Sequence, residues 1–301
     1  AAGIPVLMTA HDLKIACPAY KMLRDGRICE DCRGGRIYNV VRHRCIKDSL
    51  PLSTVVFAET VLHRMLGLYR NKVDRIVVPS RFYRAKLMEW GWPAEQLSYV
   101  PNFVDLGGFE TGWKEGDYFA FAGRLAPEKG LTTLIRAAAR AKQRVIIAGT
   151  GPEEASLRKL VEETGADVTF AGFVAGEALH RLIGQSQALV LPSEWYENAP
   201  ISILEAYALG RPVIGAAIGG IPEMVRVGDT GLTPEAGSVE DLADALSQMA
   251  ALGAARRSAM GAAGREWVSR DFSRTAYRER MLALYGELSP GILVKAQAVP
   301  Q

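Results

Sequence analysis

Long apolar runs are missing from this 301-residue chain. A bilayer-spanning helix needs about 20 consecutive apolar residues, and the best candidate is interrupted by Glu59 and His63. No signal-peptide pattern is present either, so the expectation is a cytoplasmic protein, soluble or held peripherally at the inner face of a membrane. Charge of one sign is also scarce. The formal net charge is only +3, and aromatic residues are not interleaved with the basic ones, which argues against nucleic acid as a partner. Internal repeats and low-complexity blocks are absent, and no cysteine occurs outside residues 17–45. What is present is 49% hydrophobic content, enough in a chain of this length to bury two cores.

The cysteines that do occur are clustered: Cys17, Cys29, Cys32 and Cys45. Cys29-Glu30-Asp31-Cys32 has the two-residue gap of a zinc knuckle, and four thiolates on a short stretch can close a tetrahedral structural site. Only one such Cys pair is present where two are expected, so structural zinc and free thiols stand as equal readings; a disulfide is disfavoured in a reducing cytosol. The neighbourhood is basic, with Arg24, Arg27, Arg33, Arg36, Arg42, His43, Arg44 and Lys47. It reads either as a solvated face or as a surface for an anionic membrane or a phosphate-bearing acceptor.

Apolar runs at 118–123, 144–148, 168–172, 188–192 and 212–216 alternate with helical stretches at 131–142, 153–163 and 200–209. Continuous apolar strands alternating with helices predict an α/β fold with a doubly wound parallel sheet. The front of the chain adds a strand at 6–10, a second at 73–78 followed by a helix capped by Ser80, and a third segment at 99–105. Residues 106–116 are rich in glycine and acidic side chains, as a linker should be. The end is Ala-rich helix over 239–268 and a last helix at 274–287, with Tyr277, Met281, Leu282 and Tyr285 at helical spacing.

Candidate site residues gather at strand ends. Glu197 and Glu205 flank the start of the helix at 200–209; with Asn198 as N-cap and Pro200 in the first turn, Glu205 lies roughly 10 Å along the axis. A helix N-terminus attracts phosphate, so two carboxylates there can bracket a diphosphate, one holding sugar hydroxyls and the other ribose. Alone, such a pair would be a solvated acidic flank. Arg124 and Lys129 alter that reading, because they follow the strand 118–123 at its carboxyl end, where open α/β sheets place ligands, and a guanidinium fork with an ammonium suits a diphosphate.

With those residues in view, the chain resembles the retaining GT-B glycosyltransferases of glycosyltransferase family 4 (group 1). The resemblance rests on Gly123-Arg124-Leu125 through Lys129-Gly130, Ala148-Gly149-Thr150-Gly151-Pro152, and Phe170-Ala171-Gly172-Phe173-Val174. It continues through Pro192-Ser193 to Glu205-Ala206, Gly210-Arg211-Pro212-Val213-Ile214, and Gly219-Gly220-Ile221-Pro222-Glu223. The resemblance implies two Rossmann-like domains: a partial N-terminal, acceptor-side domain over 1–106 with the cysteine cluster, a nucleotide-sugar domain over 107–273, and a crossing helix and tail over 274–301. The opening strand resembles one midway through the family's first domain, so the earlier strands are expected to be missing from the sequence.

By the same resemblance, a sugar passes from a nucleoside-diphosphate sugar, UDP- or GDP-linked, to a glycan, lipid-linked or small-molecule acceptor in polysaccharide or glycolipid biosynthesis. Arg124 and Lys129 would stabilise the departing diphosphate, Glu197 the donor sugar, Glu205 the ribose, and Phe173 and Val174 the base through backbone contacts. Gly123, Gly149 and Gly151, with Asn198, Ala199, Pro200 and Ile201 at the helix start, would complete the donor cradle, and His11 would contact the transferred sugar. No catalytic cofactor is implied. The alternatives are a catalytically inactive nucleotide-sugar-binding or scaffold protein and a sucrose-synthase-like relative.

Overall fold

The computed structural model describes residues 4–289. Two compact units are present, with the boundary between Asn102 and Phe103. The first begins with β1 (Leu7–Thr9), a hairpin of β2 (Leu23–Arg24) and β3 (Arg27–Ile28), and the short helix α1 (Asn39–Arg42). Helix α2 (Leu50–Met65) follows, started by Ser49, whose hydroxyl accepts the Leu52 N–H at 3.4 Å. After α3 (Leu68–Lys72) come β4 (Arg75–Val78), α4 (Arg81–Glu89) and β5 (Leu97–Tyr99). Ser80 caps α4 as predicted, accepting the Tyr83 N–H at 3.0 Å. The strands form a parallel sheet in the order β1-β4-β5.

The second unit carries β6 (Tyr118–Ala122), α5 (Leu131–Ala141), β7 (Arg144–Ala148), α6 (Glu154–Thr164), β8 (Val168–Gly172) and α7 (Gly176–Gly184). It continues with β9 (Leu189–Leu191), α8 (Ile201–Ala208), β10 (Val213–Gly215), β11 (Gly231–Leu232), α9 (Val239–Ala251) and α10 (Gly253–Asp271). Its six strands are parallel in the order β11-β10-β9-β6-β7-β8. The five predicted strands are present; α7 and β11 were not anticipated, and the Ala-rich stretch divides into α9 and α10.

Strand alternation divides the core of this unit. Phe119 and Phe121 project to one face, against Leu134 and Ile135 of α5 and Leu242 and Leu246 of α9. Tyr118 and Ala120 project to the other, against Ile203 and Tyr207 of α8 and Val268 of α10. Successive strand residues point to opposite faces, and helices on both faces keep this parallel sheet dry. Glu115 ties the preceding segment to this body, meeting Arg257 at 2.6 Å and Arg211 at 3.0 Å. The last helix, α11 (Arg274–Leu288), groups from Thr275 onward with the first unit, where Leu284 packs on Val77 and Val100.

The sheet order places the site. The chain runs outward from β6 to β8, then returns to lay β9 on the other side of β6. Ligands of open α/β sheets bind beyond the carboxyl ends of strands at such a reversal. The loop after β6 carries Gly123 to Lys129, and the loop after β9 carries Pro192 to Pro200.

Candidate active site

Three loops and one helix meet above β6, β7 and β8. Gly123 and Arg124 leave β6, Gly149 to Pro152 leave β7, Phe173 and Val174 leave β8, and α8 contributes Ser202 and Glu205; together they line a cavity of about 610 Å³. The predicted Gly123, Arg124, Gly149, Gly151, Phe173, Val174 and Glu205 are therefore brought to one place. The loops are in close contact. Leu125 N–H donates to the Thr150 carbonyl at 3.0 Å, and Gly149 N–H to the Gly172 carbonyl at 2.6 Å. Gly149 sits at φ +141°, and a Cβ there would run into the Gly123 carbonyl, so only glycine allows this approach.

Charge in the cavity is arranged at two points. Arg124 is exposed; its carbonyl accepts the Ala126 N–H at 3.1 Å, while among the described residues no ion pair or hydrogen bond engages its guanidinium, which leaves those donors for a ligand. Glu205 is half-buried, and burial holds its carboxyl above the usual carboxylate range, with His180 opposing. Phe173 stands at the rim with 79% of its surface exposed. Ser202 was not anticipated; it lies three residues before Glu205 on the same helix face.

A second cluster joins the loops after β6 and β9. Lys129 Nζ lies 2.6 Å from Glu197 Oε1, and the Ser193 hydroxyl donates to the same oxygen at 2.9 Å. Glu197 is only 8% exposed. Its backbone is held as well: Gly220 N–H donates to its carbonyl at 2.8 Å, and Gly219, at φ +61°, leaves no room for a side chain against it. Lys129 also lies 5.3 Å from the centre of the Trp195 ring. Lys129 and Glu197 are thus paired, and neither is among the residues lining the cavity. Ser193 was quoted in the sequence motif without a role; its position four residues before Glu197, at the end of β9, is the signal that could have found it.

Asn198 is not the helix cap. Helix α8 starts at Ile201 with Pro200 as its N-cap, and no side chain caps it. Glu205 is accordingly the fifth helical residue, about 6 Å along the axis from Ile201 at 1.5 Å per residue. Pro200 delays the start because its fixed φ suits the extended entry it adopts here. Ala199 is buried while Ile201 is half-exposed.

The remaining predicted residues lie in the first unit. His11 is exposed in the bend after β1. None of the four cysteines is joined in a disulfide, and all four line one small cavity. Burial, with the neighbouring thiols adding, pushes Cys32 up to about 12 and Cys45 up to about 11. Part of the basic neighbourhood is neutralised internally, Arg24 pairing with Asp31 at 2.7 Å. Among the described residues, no helix is long and apolar enough to cross a membrane.

The family model of glycosyl transferases group 1 matches residues 109–267. A GDP-mannose-dependent alpha-(1-6)-phosphatidylinositol monomannoside mannosyltransferase of Mycobacterium tuberculosis is 33% identical over 242 residues, covering 72% of this chain and 62% of that protein. An alpha-D-kanosaminyltransferase of Streptomyces kanamyceticus is 33% identical over 136 residues, 43% of this chain and 35% of that one. The chain therefore spans under two thirds of the length of these relatives. Among solved structures, Anabaena HepE in complex with UDP superposes with a TM-score of 0.72 at 17% identity, over 94% of this chain and 72% of that one. Sucrose-phosphate synthase from Thermosynechococcus elongatus gives 0.70 at 24% identity, over 95% and 68%. These likenesses establish the GT-B fold. With more than half of its residues matched by the family model, the chain belongs to the group 1 glycosyltransferases.

Proposed function

We propose that this chain carries the donor-binding machinery of a retaining glycosyltransferase that uses a nucleoside-diphosphate sugar. The observation that carries the reading is the cavity above β6, β7 and β8, where the unengaged guanidinium of Arg124 and the carboxylate of Glu205 occupy one space. Glu205 holds the ribose hydroxyls, and the Phe173–Val174 backbone takes the base. The glycines let the diphosphate approach the loops, and Arg124 meets its charge as the bond to the sugar breaks. Preorganised charge at the leaving group is the largest contribution such a site makes.

Lys129 has two roles in this reading. It faces the diphosphate and also holds Glu197 through Oε1, so the second carboxylate oxygen of Glu197 is left for a donor-sugar hydroxyl. The leaving phosphate takes the acceptor proton. Arg124 and Lys129 supply the positive charge, so the reading requires no catalytic metal. GDP-mannose in the mycobacterial relatives and UDP in HepE make both nucleotides substrates to test. The lipid-linked acceptor of those relatives supports an acceptor at the inner membrane surface, with glycan or small-molecule acceptors as the other classes.

Calorimetric titration of the full chain with UDP and GDP tests the cavity, and nucleotide release from UDP- and GDP-sugars tests transfer. One of the two nucleotides should bind and raise the melting temperature. Transfer should keep the donor's anomeric configuration, read by NMR of the product. Failure of both nucleotides at millimolar concentration sinks the reading. Binding without release of nucleotide from any donor favours the inactive-binder alternative.

A further inference from the structure

We propose that Cys17, Cys29, Cys32 and Cys45 bind one structural Zn²⁺ that fixes the fold of residues 10–48. The inference stands on the first unit alone and is independent of the donor-site reading.

The four thiols reach one place from four separate turns. Cys17 follows the bend after β1, Cys29 follows β3, Cys32 opens the turn at Arg33–Gly35, and Cys45 lies in the turn between α1 and α2. They line a single cavity of about 10 Å³, room for about one water-sized sphere and nothing larger. Because all four line the same cavity, they form one set rather than two separate pairs. Four soft thiolates in a closed pocket select zinc over harder cations.

The surrounding chain has need of such a staple. Residues 10–48 contain only two two-residue strands, a three-residue 3-10 turn at Arg33–Gly35 and one four-residue helix, yet Leu13, Met22 and Val40 are at most 1% exposed. Among the described residues, seven non-glycine positions have φ above zero, and six of them (Tyr20, Met22, Asp25, Arg44, Lys47 and Asp48) lie in this stretch. Left-handed backbone persists only where the surroundings over-determine it, and stretches this small rarely achieve that with apolar packing alone. Charge agrees as well. A zinc ion with four thiolates keeps a negative surplus, and Arg24 faces Cys29 and Cys45 while Arg64 faces Cys32.

The thiols surround the cavity without being drawn into a finished ligand set, since among the described residues no group of three or more His, Cys, Asp or Glu is positioned to hold a metal ion. Binding therefore turns the thiols inward and releases their protons to solvent. His43 is engaged with Asp31 at 3.3 Å and is left outside the set.

The test uses the full chain purified without added metal under reducing conditions. Elemental analysis should give one zinc per chain, released stoichiometrically when the thiols are blocked with a mercurial. Replacement by Co²⁺ should give thiolate-to-cobalt charge-transfer bands with tetrahedral d–d bands. Cys32→Ser should lose the metal, whereas Cys32→His, still a ligand, should keep it. Metal-free protein with four reactive thiols and no cobalt spectrum overturns the proposal, even if the serine variant fails to fold. Cysteines that react only after reduction, which indicates disulfides, overturn it equally. Metal retained in Cys32→Ser also refutes the assignment.

Discussion

Replacing Lys129 by Met isolates the worth of its pairing with Glu197. The ammonium lies 2.6 Å from Glu197 Oε1, with side-chain exposures of 25% for Lys129 and 11% for Glu197. Removing one partner of a fully buried pair costs about 3–5 kcal/mol, because the other charge is left uncompensated. Here the lysine is a quarter exposed and the Ser193 hydroxyl still reaches Glu197, which scales the loss to about 2 kcal/mol, roughly a 30-fold change in the unfolding constant. Glu197→Gln strands the ammonium instead and should cost about 1–2 kcal/mol, since the lysine can turn toward water. The double variant leaves no stranded charge, so its loss should fall short of the sum of the singles by at least about 1 kcal/mol. Urea unfolding followed by tryptophan fluorescence, with Trp195 beside the pair, measures all four proteins. Losses that add within about 0.5 kcal/mol, as independent sites do, would refute the claim that the two charges sustain each other. The same variants divide binding from chemistry: Glu197→Gln should bind nucleoside diphosphate as the parent does while transfer slows.

Arg124→Ala, at an exposed side chain, should leave stability unchanged yet lower turnover by about two orders of magnitude, roughly 3 kcal/mol of lost charge stabilisation; near-parental rates would place the diphosphate elsewhere. Glu205→Gln should weaken free nucleotide and intact donor alike by about 1.5–3 kcal/mol, as loss of a charged hydrogen bond does, checked by calorimetry with both. Because burial raises the Glu205 pKa above 4.5, the folded state binds this proton more tightly than the unfolded chain, so the carboxylate destabilises the fold progressively as pH rises through that raised value. Glu205→Gln should therefore be the more stable protein at neutral pH, with the gap closing below about pH 4.5, measured by melting temperature across pH. Glu115→Gln should cost about 3–5 kcal/mol in urea unfolding, because it strands Arg211 and Arg257 in a nearly dry pocket.

The second unit was legible because a parallel sheet covered on both faces needs unbroken apolar strands, and Phe119-Ala120-Phe121 and Leu189-Val190-Leu191 supply them. Short elements at the margins left no such trace. β11 is two residues long, and α7 is nine residues long and opens on Gly176, a residue that reads as loop. The cap of α8 was misread because Asn198 has the right chemistry, while Pro200 decides where helical backbone can start. Glycine and charge motifs located the cavity residues, since the close approach of the loops, as at Gly149 against the Gly123 carbonyl, restricts what can stand there. What they did not reveal is that Lys129 and Glu197, 68 positions apart, neutralise each other, or that Ser193 completes the arrangement. That depends on β9 returning to lie beside β6, and on both loops burying their charges at the junction. Residues 10–48 were the least legible, because no helical or strand period organises them. Their fold follows from turns, left-handed residues and four converging thiols, none of which has a signature beyond the cysteine spacing itself. The two units thus differ in what specifies them: hydrophobic periodicity in the six-stranded sheet, and point constraints at individual side chains in the segment after β1. A substitution in the first kind of structure is absorbed by neighbouring apolar contacts, whereas loss of a single thiol in the second would release several strained residues together.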